Sequence, residues 1–244
     1  MERKRYILTL LLIIGTINLF ASNKGSIYQA YISNDMSLWK TVIDQMEKQN
    51  DKTYEYRLEL LNYQYGYIGW CIGQKKYDTA REYIALAEKN VDFLENNNYK
   101  PSTIYAYKSA FIGFEIGLNK LKAPFIGLKS VDYAQKASEL DPDDHFAYNQ
   151  SGNIEFYMPS IFGGSKKKAI NYYLKAKSIM EKDEKLLDRN WNYLCLIATI
   201  INAYLEIKDY HKANMYCQLA LEKEPDFLWV KNELYPEIQK YLEN

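Results

Sequence analysis

The chain has 244 residues, enough for one or two domains and a substantial core. Tyrosine is abundant at 24, while glycine and proline number only 11 and 6, a balance that suits stacked helices with wide aromatic side chains filling the gaps. The formal net charge is zero, so no global field draws the chain to nucleic acid or to an acidic surface.

Residues 1–21 read as a secretory signal peptide. Arg3-Lys4-Arg5 gives a positive start, Tyr6 to Phe20 an apolar run, and Ala21 a small residue for cleavage. Cleavage after Ala21 is expected, which sends the mature chain to the periplasm or outside the cell. The alternative is an uncleaved anchor, although the run is short against the roughly 20 apolar residues of a span.

Residues 22–52 read as an N-terminal capping region. Asp35 or Ser37 can cap a helix that carries Leu38, Val42, Ile43 and Met46 on one face. The next unit, 53–95, has Leu58, Leu61, Tyr65, Ile68 and Ile72 on a first helix. Tyr77, Ala80, Ile84 and Ala87 lie on its second. Unit 102–142 has Ser102 or Thr103 as a cap and a stripe of Phe111, Phe114, Leu118 and Leu121. Pro124 is expected to end that helix, and Ser130, Ala134 and Ala137 mark the second. Unit 143–183 opens with Ala147 to Gly152 and continues with Ala169, Tyr173 and Ala176. Between its helices lies a long loop, Met158 to Lys166. Unit 188–225 has Leu194, Ile197, Ile200, Ile201 and Tyr204 three and four apart, a polar break at Lys208-Asp209, then Ala213, Cys217 and Ala220. A last helix, within 226–244 and running from Phe227 to Tyr241, would seal the exposed apolar end.

Tyr204, the small residues Ala213 and Ala220, and the closing Pro225 resemble the tetratricopeptide repeat (TPR) signature. Ser138 to Pro142, SELDP, and Ala147 to Gly152, AYNQSG, are similar to the end and the opening of such a unit, with Ser151 where leucine is usual. The equivalent small residues Ala80, Ser130, Ala169 and Ala213 lie 50, 39 and 44 residues apart, against about 34 in a plain repeat. The resemblance implies an all-α superhelix of four helical hairpins with terminal caps, acting as a scaffold that binds a protein or peptide on its concave face, with a partner in the cell envelope.

In such a fold the inner helices line the groove. Asn119 and Asn202 each lie 11 residues before their unit's marker, and Asn153 lies 16 before its own, the excess matching the inserted loop. The three asparagines are therefore candidates for one register, because an amide donates and accepts as an extended peptide requires. Asn149 and Tyr157 are expected on the same face. On this reading Asn153→Ala and Asn202→Ala weaken binding and leave stability nearly unchanged.

The loop Phe162-Gly163-Gly164-Ser165, followed by three lysines, has two readings. Amides at a helix start could hold an anion, or the glycines serve backbone geometry while Met158, Ile161 and Phe162 tuck back onto the helices. A single closed pocket near Phe162 to Lys168 would instead favour a small-solute accessory protein resembling the helical repeat component of TRAP-type transporters. No catalytic residue, cofactor or metal is expected. His145 and His211 have no partner at ligand spacing, and the Asp141-Asp143-Asp144 cluster reads as a helix start rather than a calcium loop. Cys71, Cys195 and Cys217 read as buried small hydrophobes, with a Cys195–Cys217 disulfide about a turn out of step.

Overall fold

A computed structural model describes residues 22–243; the expected signal segment 1–21 lies outside them. The described residues contain eleven α-helices and no strand. These are α1 (Asn23–Ile32), α2 (Met36–Glu47), α3 (Tyr54–Gly73), α4 (Tyr77–Asn96), α5 (Pro101–Leu118) and α6 (Ala123–Leu140). They continue with α7 (His145–Tyr157), α8 (Lys166–Met180), α9 (Trp191–Glu206), α10 (Tyr210–Lys223) and α11 (Tyr235–Leu242). Consecutive helices pack as hairpins: α3 on α4, α5 on α6, α7 on α8 and α9 on α10.

The helix starts are set chemically. Asp35, Thr53, Asp144, Ser165, Asn190 and Asp209 each accept a hydrogen bond from a backbone amide in the following turn, satisfying donors that a helix leaves open. The close approach within each hairpin comes from small side chains. Ala80, Ala169 and Ala213 are fully buried, and Ser130 exchanges hydrogen bonds with Ser109 across the α5–α6 seam.

Several expectations are corrected. Ser102 and Thr103 do not cap α5: Lys100 precedes it in a left-handed conformation and Pro101 takes its first position. Their hydroxyls instead donate to the Asp144 carboxylate at 2.9 and 2.8 Å, and Ser102 also donates to the Ala137 carbonyl. Pro124 does not end a helix. It sits in the first turn of α6, where the missing N–H costs nothing, and α5 already stops at Leu118. Leu121 lies beyond α5 in a 3₁₀ turn and is exposed, so it is no part of that stripe. The last helix is interrupted: a π-helical turn, Val230–Leu234, precedes α11.

The row of hairpins bends until its ends meet. The Tyr31 ring of α1 lies 5.7 Å from that of Trp191 and 5.2 Å from that of Phe227. Trp39 of α2 meets Trp191 edge-on at 4.9 Å. Tyr28 donates to the Glu224 carboxylate at 2.8 Å. Asn62 of α3 and Asn192 of α9 exchange amide hydrogen bonds at 3.2 and 3.0 Å, and Trp191 Nε1 donates to Asn62 Oδ1. Residues 130 apart in sequence are thereby joined, and the apolar end that a row of hairpins would otherwise expose is covered.

Candidate functional site

The first helices of the hairpins turn toward one another. Their lower parts are packed shut: Gln150 of α7 donates to the Tyr65 hydroxyl of α3, whose ring stacks on Phe114 of α5 and meets Phe146 edge-on. Asn149, Asn153 and Tyr157 are spaced by four residues and form one stripe on α7. Asn149 and Asn153 are half-buried, and the Tyr157 ring is 77 % exposed. On α9, Cys195, Thr199 and Asn202 form a second half-buried stripe that ends at the exposed Glu206.

The two stripes share an electrostatic environment. Desolvation where the phenol faces α9 raises Tyr157 above its ordinary value, with further contributions from Cys195 and Glu206, an effect that its exposed ring keeps small. Burial likewise raises the Cys195 thiol, opposed by hydrogen bonding to Tyr31 and Thr199. Asn149 and Tyr157 supply an amide and an aromatic face, groups that can hold an extended backbone, whereas the Thr199 hydroxyl donates to the Cys195 carbonyl of its own helix.

The asparagines do not form a ladder. Asn119 is exposed at the end of α5, and its Oδ1 accepts from the Leu121 amide, opening the next turn. Asn153 is committed to the fold: its Nδ2 donates to Gln150, and its Oδ1 accepts from the Tyr173 hydroxyl at 3.0 Å. Asn202 donates to the Ala198 carbonyl of its own helix. Equal offsets from the buried alanines do not give equal partners: each amide bonds groups in its own helix, turn or hairpin. Asn153→Ala should therefore cost about 1–2 kcal/mol of stability, measured by urea denaturation, because it orphans Tyr173 and Gln150. An unchanged midpoint would show that this network carries no stability.

The α7–α8 loop does not tuck back. Ile161 and Phe162 stand in solvent around a 3₁₀ turn, Ser160–Phe162. Gly163 is left-handed at φ 100°. Gly164 has no room for a side chain, because an added Cβ would lie 2.6 Å from the Met158 carbonyl carbon. Ser165 caps α8 by accepting from the Lys168 amide at 3.3 Å, and its own amide donates to the Glu155 carbonyl at 2.9 Å. Both glycines thus have a backbone reason to be there.

All three cysteines are free thiols, two of them buried and Cys195 half-buried. His145 opens α7 with its pKa lowered by burial, and His211 is exposed in the first turn of α10. Among the described residues there is no group of three or more His, Cys, Asp or Glu placed to hold a metal, and no helix long and apolar enough to cross a membrane. The sequence signal that reading by register missed is the closing contact: Trp191 and Asn192 follow a cap at Asn190, and only their partners 130 residues away give them meaning. Comparison with protein-family models and with curated proteins finds no match for the chain.

Proposed function

We propose that the protein is an exported, non-catalytic binding scaffold of the TPR type, which holds an extended peptide segment of an envelope partner between α7 and α9. The observation that carries this reading is the outer face of α7, where half-buried Asn149 and exposed Tyr157 lie on one stripe and Tyr157 comes near Cys195 and Glu206 of α9. Consecutive helical hairpins support the repeat architecture. Its packed lower part favours preorganisation, so less entropy is lost on association. The non-catalytic part of the reading rests on the sequence, in which His145 and His211 have no partner at ligand spacing. The export reading rests on residues 1–21 as a sequence.

Selection of peptides from a random displayed library tests it. Selected peptides should lose about tenfold in affinity to Asn149→Ala or Tyr157→Ala, since each truncation removes a polar or aromatic contact. Glu222→Ala, exposed on α10, should bind as the parent does. Peptides that bind all three variants equally well, or a library that yields no binder, would reject the site.

A further inference from the structure

The geometry points to a second surface, a membrane-docking edge on the second and third hairpins that inserts apolar side chains among anionic lipid headgroups. Leu121, Phe125 and Leu128 are 80 %, 87 % and 77 % exposed. Ile161 and Phe162 are 83 % and 70 % exposed. Large apolar side chains gathered at one end of a fold mark an interaction surface.

The five residues share one end of the fold. Ser102 ties the start of α5 to the end of α6 and the start of α7 through Ala137 and Asp144. The opposite end therefore gathers the end of α5, the start of α6 and the end of α7, with both 3₁₀ turns. On α6 the exposure is built into the helix. Phe125 and Leu128 each precede a buried small residue, Ala134 and Ala137, by nine positions. Nine residues are about two and a half turns, so the apolar stripe points directly away from the core.

Charge selects the occupant. Residues 116–131 contain Lys120, Lys122 and Lys129 and no acid. Residues 156–180 contain Lys166, Lys167 and Lys168 near their start and no acid. Lys122 pairs with Glu115, Lys166 donates to the Phe156 carbonyl, and Lys168 reaches Glu155 at only 3.9 Å. Lys120 and Lys167 make no ion pair among the described residues. A locally cationic edge on a chain of zero net charge is complementary to an anionic surface. The apolar side chains protrude singly. A fluid interface takes up separate Phe, Leu and Ile side chains without matching sockets, while lysine stems reach back to the headgroups. None of the described helices can span a bilayer, so the contact lies on the membrane surface.

Vesicle flotation tests this, using the full chain and the chain from Ser22, which contains every described helix. Comparing the two separates any binding by residues 1–21. The Ser22 chain should float with phosphatidylcholine vesicles containing phosphatidylglycerol and stay behind with phosphatidylcholine alone. Phe125→Ser with Phe162→Ser should lower the bound fraction about tenfold, and Lys120→Ser with Lys167→Ser about as much at low salt. Circular dichroism of these variants should match the parent, since the altered side chains are exposed. Absence of flotation, equal flotation with both lipids, or variants that float like the parent would overturn the proposal. So would a parent chain that sediments as a dimer and becomes monomeric on Phe125→Ser with Phe162→Ser, because the edge would then join two copies. Asn149→Ala and Tyr157→Ala should not alter flotation, so loss of either surface is read separately.

Discussion

Trp191→Ala is expected to cost about 3–5 kcal/mol, the loss seen when a large buried aromatic is truncated. Trp191 is buried at the first position of α9. Its indole nitrogen donates to Asn62, and its ring meets Tyr31 and Trp39. It also fills the space over Gly66, where an added Cβ would fall 2.7 Å from the indole. One side chain thus joins α1, α2, α3 and α9. Removing it leaves a cavity and strips one partner from the half-buried Asn62–Asn192 pair. The melting temperature should fall by about 10 °C for a chain of this length. Trp70→Ala gives the contrast. Trp70 is half-buried, covered by the Lys76 ammonium at 4.3 Å and stacked on Tyr67. Its loss should be nearer 1 kcal/mol, since it rests on contacts within one hairpin. Equal effects of the two changes would mean that meeting of the ends adds nothing to stability.

Gly152→Ala should destabilise by about 1–3 kcal/mol, the range for a methyl forced into a packed core. A Cβ there would lie 2.5 Å from Cδ1 of Tyr173, closer than two such carbons can stand. Tyr173 cannot give way easily. It is fully buried on α8, and its hydroxyl is tied to Asn153. Gly113→Ala is the control, because it is exposed in α5 with nothing within 4 Å of the added Cβ. That change should stabilise by about 0.5–1 kcal/mol, since alanine loses less backbone freedom than glycine in a helix. Combining Gly152→Ala with Tyr173→Leu should cost less than the two single effects added together, because the smaller side chain relieves the overlap. Full additivity would show that the ring is not what excludes a side chain at this position.

These cases show where sequence and fold part company. The hairpins were legible because helical periodicity is local. Ala80, Ala169 and Ala213 are small for the reason their spacing suggests, and they are fully buried where two helices cross. Polar caps such as Asp35 and Asp209 act within one turn and need no distant information. Even Gly152, which looked like part of a repeat opening, has its explanation one helix away in Tyr173.

Other features depend on curvature accumulated over every hairpin. No pattern within α3 or α9 indicates that Asn62 meets Asn192, because that contact requires the whole row to return to its start. Packing within the α7–α8 hairpin commits Asn153 to Gln150 and Tyr173 while leaving Tyr157, one turn on, exposed. Hydrophobicity alone also assigned Leu121, Ile161 and Phe162 inward, since an apolar side chain gains by burial wherever a partner exists. At that end of the second and third hairpins the fold supplies none, and the side chains remain in water. Local spacing determined which helices form and which stripe of each is apolar. Only the tertiary structure decided which stripes found a neighbour, because that depends on the summed angles between helices rather than on any one of them.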